Sequence, residues 1–352
     1  VHAYRKGSFS LQRLVPGQTV AVEFSHILSD AKGTLLFLNA LVYEYCCLTG
    51  EINRARYITN PYFPGTNIKA EQECAYRKHY RKLPNPPAFP NGYHVPDRLL
   101  PKGVYHVTTV FLETGLVLDI VRKYRTTLNT FFAAVYALVL ADICVAGGGK
   151  KSGIVRLEIP INMRQFYQTD TLRNFSLFLA PAIRVSDAIK PFPEIFSLLS
   201  EQMKEQMDSG YLERQIARNV GSERNWFIHN IPMVLKHLIL KIVYKRLGEK
   251  QFSGFMTNLG SIEIENSLGS CVQGFTVVPA PSPVTKTNCA IHSYGNTLQL
   301  TFGSAIEQGE IERKFIERLN DLGIVSRRVE TTKPELRDLL ADGHEERYEK
   351  AE

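Results

Sequence analysis

The chain has 352 residues, a length that suits two ordinary domains or one large α/β unit. Its composition, 44% hydrophobic and 22% charged, is that of a globular protein and excludes a wholly disordered chain. The net charge of +7 favours an anionic partner without choosing among phosphate-bearing small molecules, membrane surfaces and nucleic acid.

Residues 20–24 are a short β-favouring run, residues 25–33 mix polar and small side chains, and residues 34–48 are apolar enough for a buried helix stopped by Thr49-Gly50. Eight prolines between residues 51 and 103 deny that stretch a regular period, so it reads as a connector. Within it, residues 76–82 (YRKHYRK) form a basic and aromatic cluster. The cluster reads as a solvated linker, with contact to cofactor phosphates or nucleic acid as alternatives; no nucleic-acid fold surrounds it.

Residues 104–112 read as a strand, and 116–124 and 128–143 as helices ended by Gly147-Gly148-Gly149. The run 128–145 is the most apolar, but Asn129, Thr130 and Asp142 interrupt it, short of the roughly 18 unbroken apolar residues of a membrane span. Strands are predicted over 154–161 and 176–185, helical spacing over 193–218, and a further helix over 231–247. This last helix pairs apolar Val234, Leu238 and Ile242 with basic Lys236, Lys241 and Lys245. It reads as a core helix with a solvated side, or as a peripheral membrane contact through residues 231–250. The final third is β-rich, with strands over 254–258, 273–278, 288–294 and 297–302, and Gly295-Asn296 marks a hairpin. A helix over 310–322 closes the fold, and residues 327–352 read as a charged tail. Strands and helices without regular βαβ alternation give an α/β fold with a mixed sheet and helices packed on it.

Few motifs carry chemistry. The stretch 147–152 (GGGKKS) lacks phosphate-loop spacing and runs from helix to strand, so it reads as an ordinary loop. Six cysteines form no C-x-x-C pair and no metal-ligand spacing with histidine, so no metal and no disulfide framework is expected. Reduced thiols suit a cytoplasmic setting. The suggestive segment is Phe24-Ser25-His26-Ile27-Leu28-Ser29-Asp30-Ala31-Lys32-Gly33, between a predicted strand and a predicted helix. Taken alone, its H-x-x-x-D pattern is equally a helix-start histidine followed by an aspartate.

Two further segments stand downstream in order. One is 156–164 (RLEIPINMR), followed by Asn174 in Leu172-Arg173-Asn174-Phe175-Ser176; the other is 255–260 (FMTNLG). Together with His26 and Asp30 these resemble the CoA-dependent acyltransferase superfamily, which includes chloramphenicol acetyltransferase and the condensation domains, and within it the alcohol acetyltransferase-like members. The resemblance spans roughly residues 20 to 325. Ser25 stands where condensation domains carry a second histidine, Ala31 where the family has glycine, and the D-F-G-W-G motif of the plant branch is absent.

The resemblance implies a chloramphenicol acetyltransferase-like fold of two lobes over a tunnel, with residues 1–103 in the N-terminal lobe and connector and 104–326 in the C-terminal lobe. It implies transfer of an acyl group, acetyl as the expected one, from CoA to an alcohol or amine. His26 would be the general base, Asp30 and Arg164 a supporting pair, and Asn258 and Asn174 substrate-binding. Acyl-CoA would be a co-substrate, with no tightly bound cofactor. The alternatives are a carrier-protein-dependent condensation enzyme and a non-catalytic binding protein that keeps the fold. Because the family's histidine comes well into its first lobe while this chain begins at Val1, the N-terminal lobe is expected to be incomplete.

Overall fold

The computed structural model describes residues 10–14, 19–53, 62, 67–150, 152–224, 232, 248–265, 268–269 and 271–332. The helix expected over 231–247, residue 232 apart, and the tail beyond 332 lie outside the described residues.

Near the start, β1 (Ser10–Leu14) and β2 (Thr19–Glu23) pair antiparallel. Then comes α1 (Ala31–Leu48), seated on the preceding loop by Phe24, whose ring meets Phe37 edge-on at 5.2 Å. The proline-rich stretch holds two single-turn helices, α2 (Ile68–Glu71) and α3 (Ala75–Lys78). Its basic and aromatic cluster is not the solvated linker expected. Tyr76 and Tyr80 pack against buried Met163, Phe175, Leu212 and Ile216, and Arg81 pairs with Glu213 at 3.4 Å.

The remaining elements build one mixed sheet with helices packed on it. In chain order they are β3 (His106–Glu113), α4 (Thr114–Lys123), α5 (Leu128–Ala146), β4 (Ile154–Asn162), β5 (Ser176–Leu179), β6 (Ala182–Arg184), α6 (Phe192–Gln206), α7 (Ser209–Arg224), β7 (Gly254–Ser261), β8 (Thr287–Tyr294), β9 (Thr297–Ser304), α8 (Glu310–Asp321) and β10 (Arg328–Thr332). The strand order is β10-β3-β9-β8-β7-β4-β5, with β6 also paired to β4. The pairs β4–β7 and β7–β8 are parallel and the others antiparallel.

The centre of the core is α5, apolar on every side because both faces are covered. It packs on β4, α6 and α8, with Phe131 stacked on Phe196 and Phe132 on Phe315. Its Tyr136 hydroxyl donates to the Thr287 carbonyl on β8. The helix is long and apolar enough to cross a membrane, but it is mostly buried inside the protein. Each fully buried Phe or Leu contributes about 1.5–3 kcal/mol, so this helix and the sheet beneath it dominate the stability.

Four expectations are corrected. The strand over 176–185 divides into β5 and β6 at Ala180-Pro181, because Pro181 has no N–H; from α6 the Gln206 and Gln202 amide oxygens accept from Ala180 and Ala182. The helix over 193–218 breaks after Met207, and Asp208 accepts from the Gly210 amide at 2.9 Å to start α7. Residues 273–278 form no strand: His292 Nε2 donates to the Phe275 carbonyl at 2.9 Å and Tyr294 to that of Val272 at 3.0 Å, so side chains replace a ladder. The charged tail begins too early at 327, since β10 pairs with β3 as an edge strand.

Glu158 sits half-buried within β4, where burial pushes its carboxyl up to about 7, the Glu249 carboxylate adding to the shift. In the unfolded chain it titrates near 4.5. Between those values the folded state holds the extra proton, so stability falls as pH rises through the window. Glu158→Gln is expected to flatten the dependence of Tm on pH between 4.5 and 7, read by thermal unfolding. An unchanged slope would show that Glu158 does not generate it.

Candidate active site

The site lies where the loop entering α1 docks on the connection between β4 and β5. Asp30 is the N-cap of α1: its Oδ1 accepts from the Gly33 amide at 3.2 Å, so the helix begins at Ala31, three residues before the sequence expectation. Its other oxygen, Oδ2, accepts from Arg164 Nη1 at 2.7 Å and from the Phe175 amide at 2.9 Å. Both side chains of the pair are 7% exposed.

Arg164 is just as fully engaged. Asn162 ends β4 and its Oδ1 accepts from the Arg164 backbone amide and Nη1, each at 3.1 Å. Arg164 Nε donates to the Thr171 carbonyl at 2.9 Å and Nη2 to the Arg173 carbonyl at 2.8 Å. One guanidinium therefore ties the end of β4, the 171–175 segment and the N-terminus of α1 together. Removing one side of such a buried pair leaves a charge uncompensated, a loss of about 3–5 kcal/mol.

The second bond across this junction runs from Ser29 Oγ to the Leu172 carbonyl, 2.7 Å. It explains Gly33. A Cβ there would fall 2.0 Å from Ser29 Oγ and 2.6 Å from the Leu172 carbonyl oxygen, so only glycine lets the first turn of α1 come this close. Tyr76 completes the floor. Its ring packs edge-on against Phe175 at 5.0 Å and its hydroxyl donates to the Ser176 carbonyl. Burial pushes its phenol up to about 12, the Asp30 charge adding to the rise, so it stays a donor.

On this base the turn 25–28, closed by Leu28 N donating to the Ser25 carbonyl at 2.9 Å, holds His26 exposed at the surface. Asn174 Nδ2 lies 3.0 Å from both the His26 carbonyl and His26 Nδ1, and Asn174 Oδ1 accepts from Ser176 Oγ at 2.9 Å. The carbonyl can only accept, which sets the amide nitrogen toward the ring. The Nδ1 atom must then offer its lone pair, and the neutral imidazole carries its proton on Nε2.

Of the residues singled out in the sequence, the structure brings His26, Asp30, Arg164 and Asn174 together. Asn258 lies elsewhere. On β7 it donates to Asn129 Oδ1 at 2.6 Å and accepts from the Gly260 amide at 2.8 Å, beside a bulge where Gly260 takes φ +74°. It lines a small cavity of about 100 Å³ with Leu118, Leu128 and Leu298, to which His26 does not contribute. Gly33, Asn162 and Thr171 were not singled out. Gly33 carried the one readable signal, a glycine displaced by two positions from the family pattern.

No family profile matches this chain, and no curated protein matches its sequence. Solved structures similar to it include condensation and epimerization domains and acyltransferases. The epimerization domain from the third module of tyrocidine synthetase B is 13% identical, covering 86% of this chain and 68% of its own, with a TM-score of 0.48. The trichothecene 15-O-acetyltransferase of Fusarium sporotrichioides is 10% identical, covering 66% and 48%, TM-score 0.48. Vinorine synthase is 13% identical, covering 86% and 62%, TM-score 0.46. The chain thus spans between about half and two thirds of the proteins it is similar to.

Gly33→Ala is expected to destabilise the protein by about 1–3 kcal/mol in chemical denaturation and to open residues 24–30 to limited proteolysis. Propensity alone would favour alanine in the helix by about 1 kcal/mol, so a stabilised variant would show that the junction tolerates the added carbon.

Proposed function

We propose that this protein transfers an acyl group, acetyl as the first candidate, from CoA to an alcohol or amine, with His26 as general base and no acyl-enzyme. The observation that carries this reading is an exposed imidazole on a turn that a buried Asp30–Arg164 pair fixes from below. Its hydrogen-bond partner is Asn174 rather than a serine or cysteine, which suits proton transfer better than activation of a protein nucleophile. In the step, the acceptor's O–H or N–H gives its proton to His26 Nε2 as the heteroatom attacks the thioester carbonyl. The C–S bond then breaks, and the imidazolium returns the proton to the departing thiolate. The net charge of +7 suits a phosphate-bearing donor.

For Nε2 to act as base, the ring proton must sit on Nδ1. A half-turn of the Asn174 amide in place would set Oδ1 against the His26 carbonyl, acceptor on acceptor, so this tautomer requires the Asn174 side chain to swing off the turn. As held, with the proton on Nε2, the geometry favours a second reading: a binding protein that keeps the loop without the transfer. A carrier-protein thioester as donor is the enzymatic alternative.

Consumption of acetyl-CoA across a panel of alcohols and amines separates these readings. His26→Ala is expected to lower turnover by about 10² to 10⁴-fold with the fold intact. A folded His26→Ala variant with wild-type turnover would remove the mechanism. Turnover only with a phosphopantetheinylated carrier would shift the donor, and CoA binding without turnover would leave the binding protein.

A further inference from the structure

Far from His26, at the other end of α1, the structure joins three ligating groups that are remote in sequence. Cys46 lies in the last turn of α1, Glu51 in the turn that follows, and Cys271 in the turn that starts at Leu268. The two Sγ atoms and a Glu51 carboxylate oxygen lie within 4.8 Å of one another. Cys46 lies against both Cys271 and Glu51. The cysteine is 3% exposed, beneath Tyr43, Ile52 and Leu268, whereas Glu51 reaches solvent. No spacing rule could find this group, because its two cysteines come from segments on either side of most of the sheet.

We propose that Cys46, Cys271 and Glu51 bind a thiophilic divalent cation of the zinc type, with water in the fourth position. With bonds of about 2.3 Å to sulfur and 2.1 Å to oxygen, tetrahedral coordination places the sulfurs about 3.8 Å apart and sulfur and oxygen about 3.6 Å apart. The spread of up to 4.8 Å closes to those values by side-chain rotation, with the Cys46 thiol buried, the Cys271 thiol partly exposed and the Glu51 carboxylate at the surface. Two thiolates and a carboxylate suit zinc in charge and softness, and burial on one side with solvent on the other leaves room for water. The ion ties the C-terminal end of α1 to the segment that follows β7, while Asp30 ties the N-terminal end to Arg164. Binding deprotonates the thiols, so affinity rises with pH.

Cobalt(II) added to the reduced, metal-stripped full chain tests the site. One equivalent is expected to produce the sulfur-to-cobalt charge-transfer band and the visible bands of a tetrahedral centre, both displaced by zinc. Zinc is expected to raise Tm. Cys46→Ser and Cys271→Ser should each remove at least half of the charge-transfer band, whereas Cys144→Ser should leave it intact. Glu51→Gln, an exposed change that does not threaten the fold, should weaken cobalt binding by about tenfold or more. Absence of the band with all six thiols titratable in denaturant would overturn the proposal. So would a band that survives both serine variants, or a 46–271 disulfide as the only product of the pair with no metal uptake after reduction.

Discussion

The hydrogen-bonded ion pair between Asp30 and Arg164 is the constraint on which the arrangement of this protein rests. A carboxylate has few acceptor sites, and Asp30 divides its own among a helix start, a backbone amide before β5 and a guanidinium after β4. Each bond alone is ordinary. Placed on one residue, they make the first turn of α1, the end of β4 and the start of β5 a single rigid junction, and the turn that bears His26 inherits that rigidity. Burial makes the junction stiff, because neither charge can exchange its partner for water without a large penalty.

Such a junction needs a scaffold that does not move. The sheet around β8 and β9 and the covered helix α5 supply it: aromatic rings of α5 lock into α6 and α8, and β4, next to the edge of the sheet, carries Asn162 at its end and Arg164 just beyond. His26 is thus kept off the core and placed on a loop at its edge, where it meets solvent above the buried Asp30–Arg164 pair.

How much of this was legible depended on whether the determinant was local. The apolar stretch of α5, the hairpin at Gly295-Asn296 and the mixed α/β character follow from side-chain period and turn chemistry, which neighbouring residues carry. The breaks at Pro181 and Met207 were missed because α6 side chains and the Asp208 cap decide them, and an extended run at 273–278 was misread because His292 and Tyr294 hold it without a ladder. In the site, residue types at motif spacing pointed to His26, Asp30, Arg164 and Asn174. What spacing could not carry was the hydrogen-bond detail: that Asn174 turns its nitrogen to the ring, that Gly33 is needed for close approach, and that Asn258 is occupied with Asn129. Nor could it join Cys46 to Cys271.

The most direct measurement is a double-mutant cycle on Asp30→Ala and Arg164→Ala by chemical denaturation. If the pair is the junction described, each single variant loses stability and the double variant loses little more than the worse of them, a coupling of about 2–3 kcal/mol. Losses that simply add, to within about 0.5 kcal/mol, would show that the two residues stabilise the protein independently and that the His26 turn is held by something else.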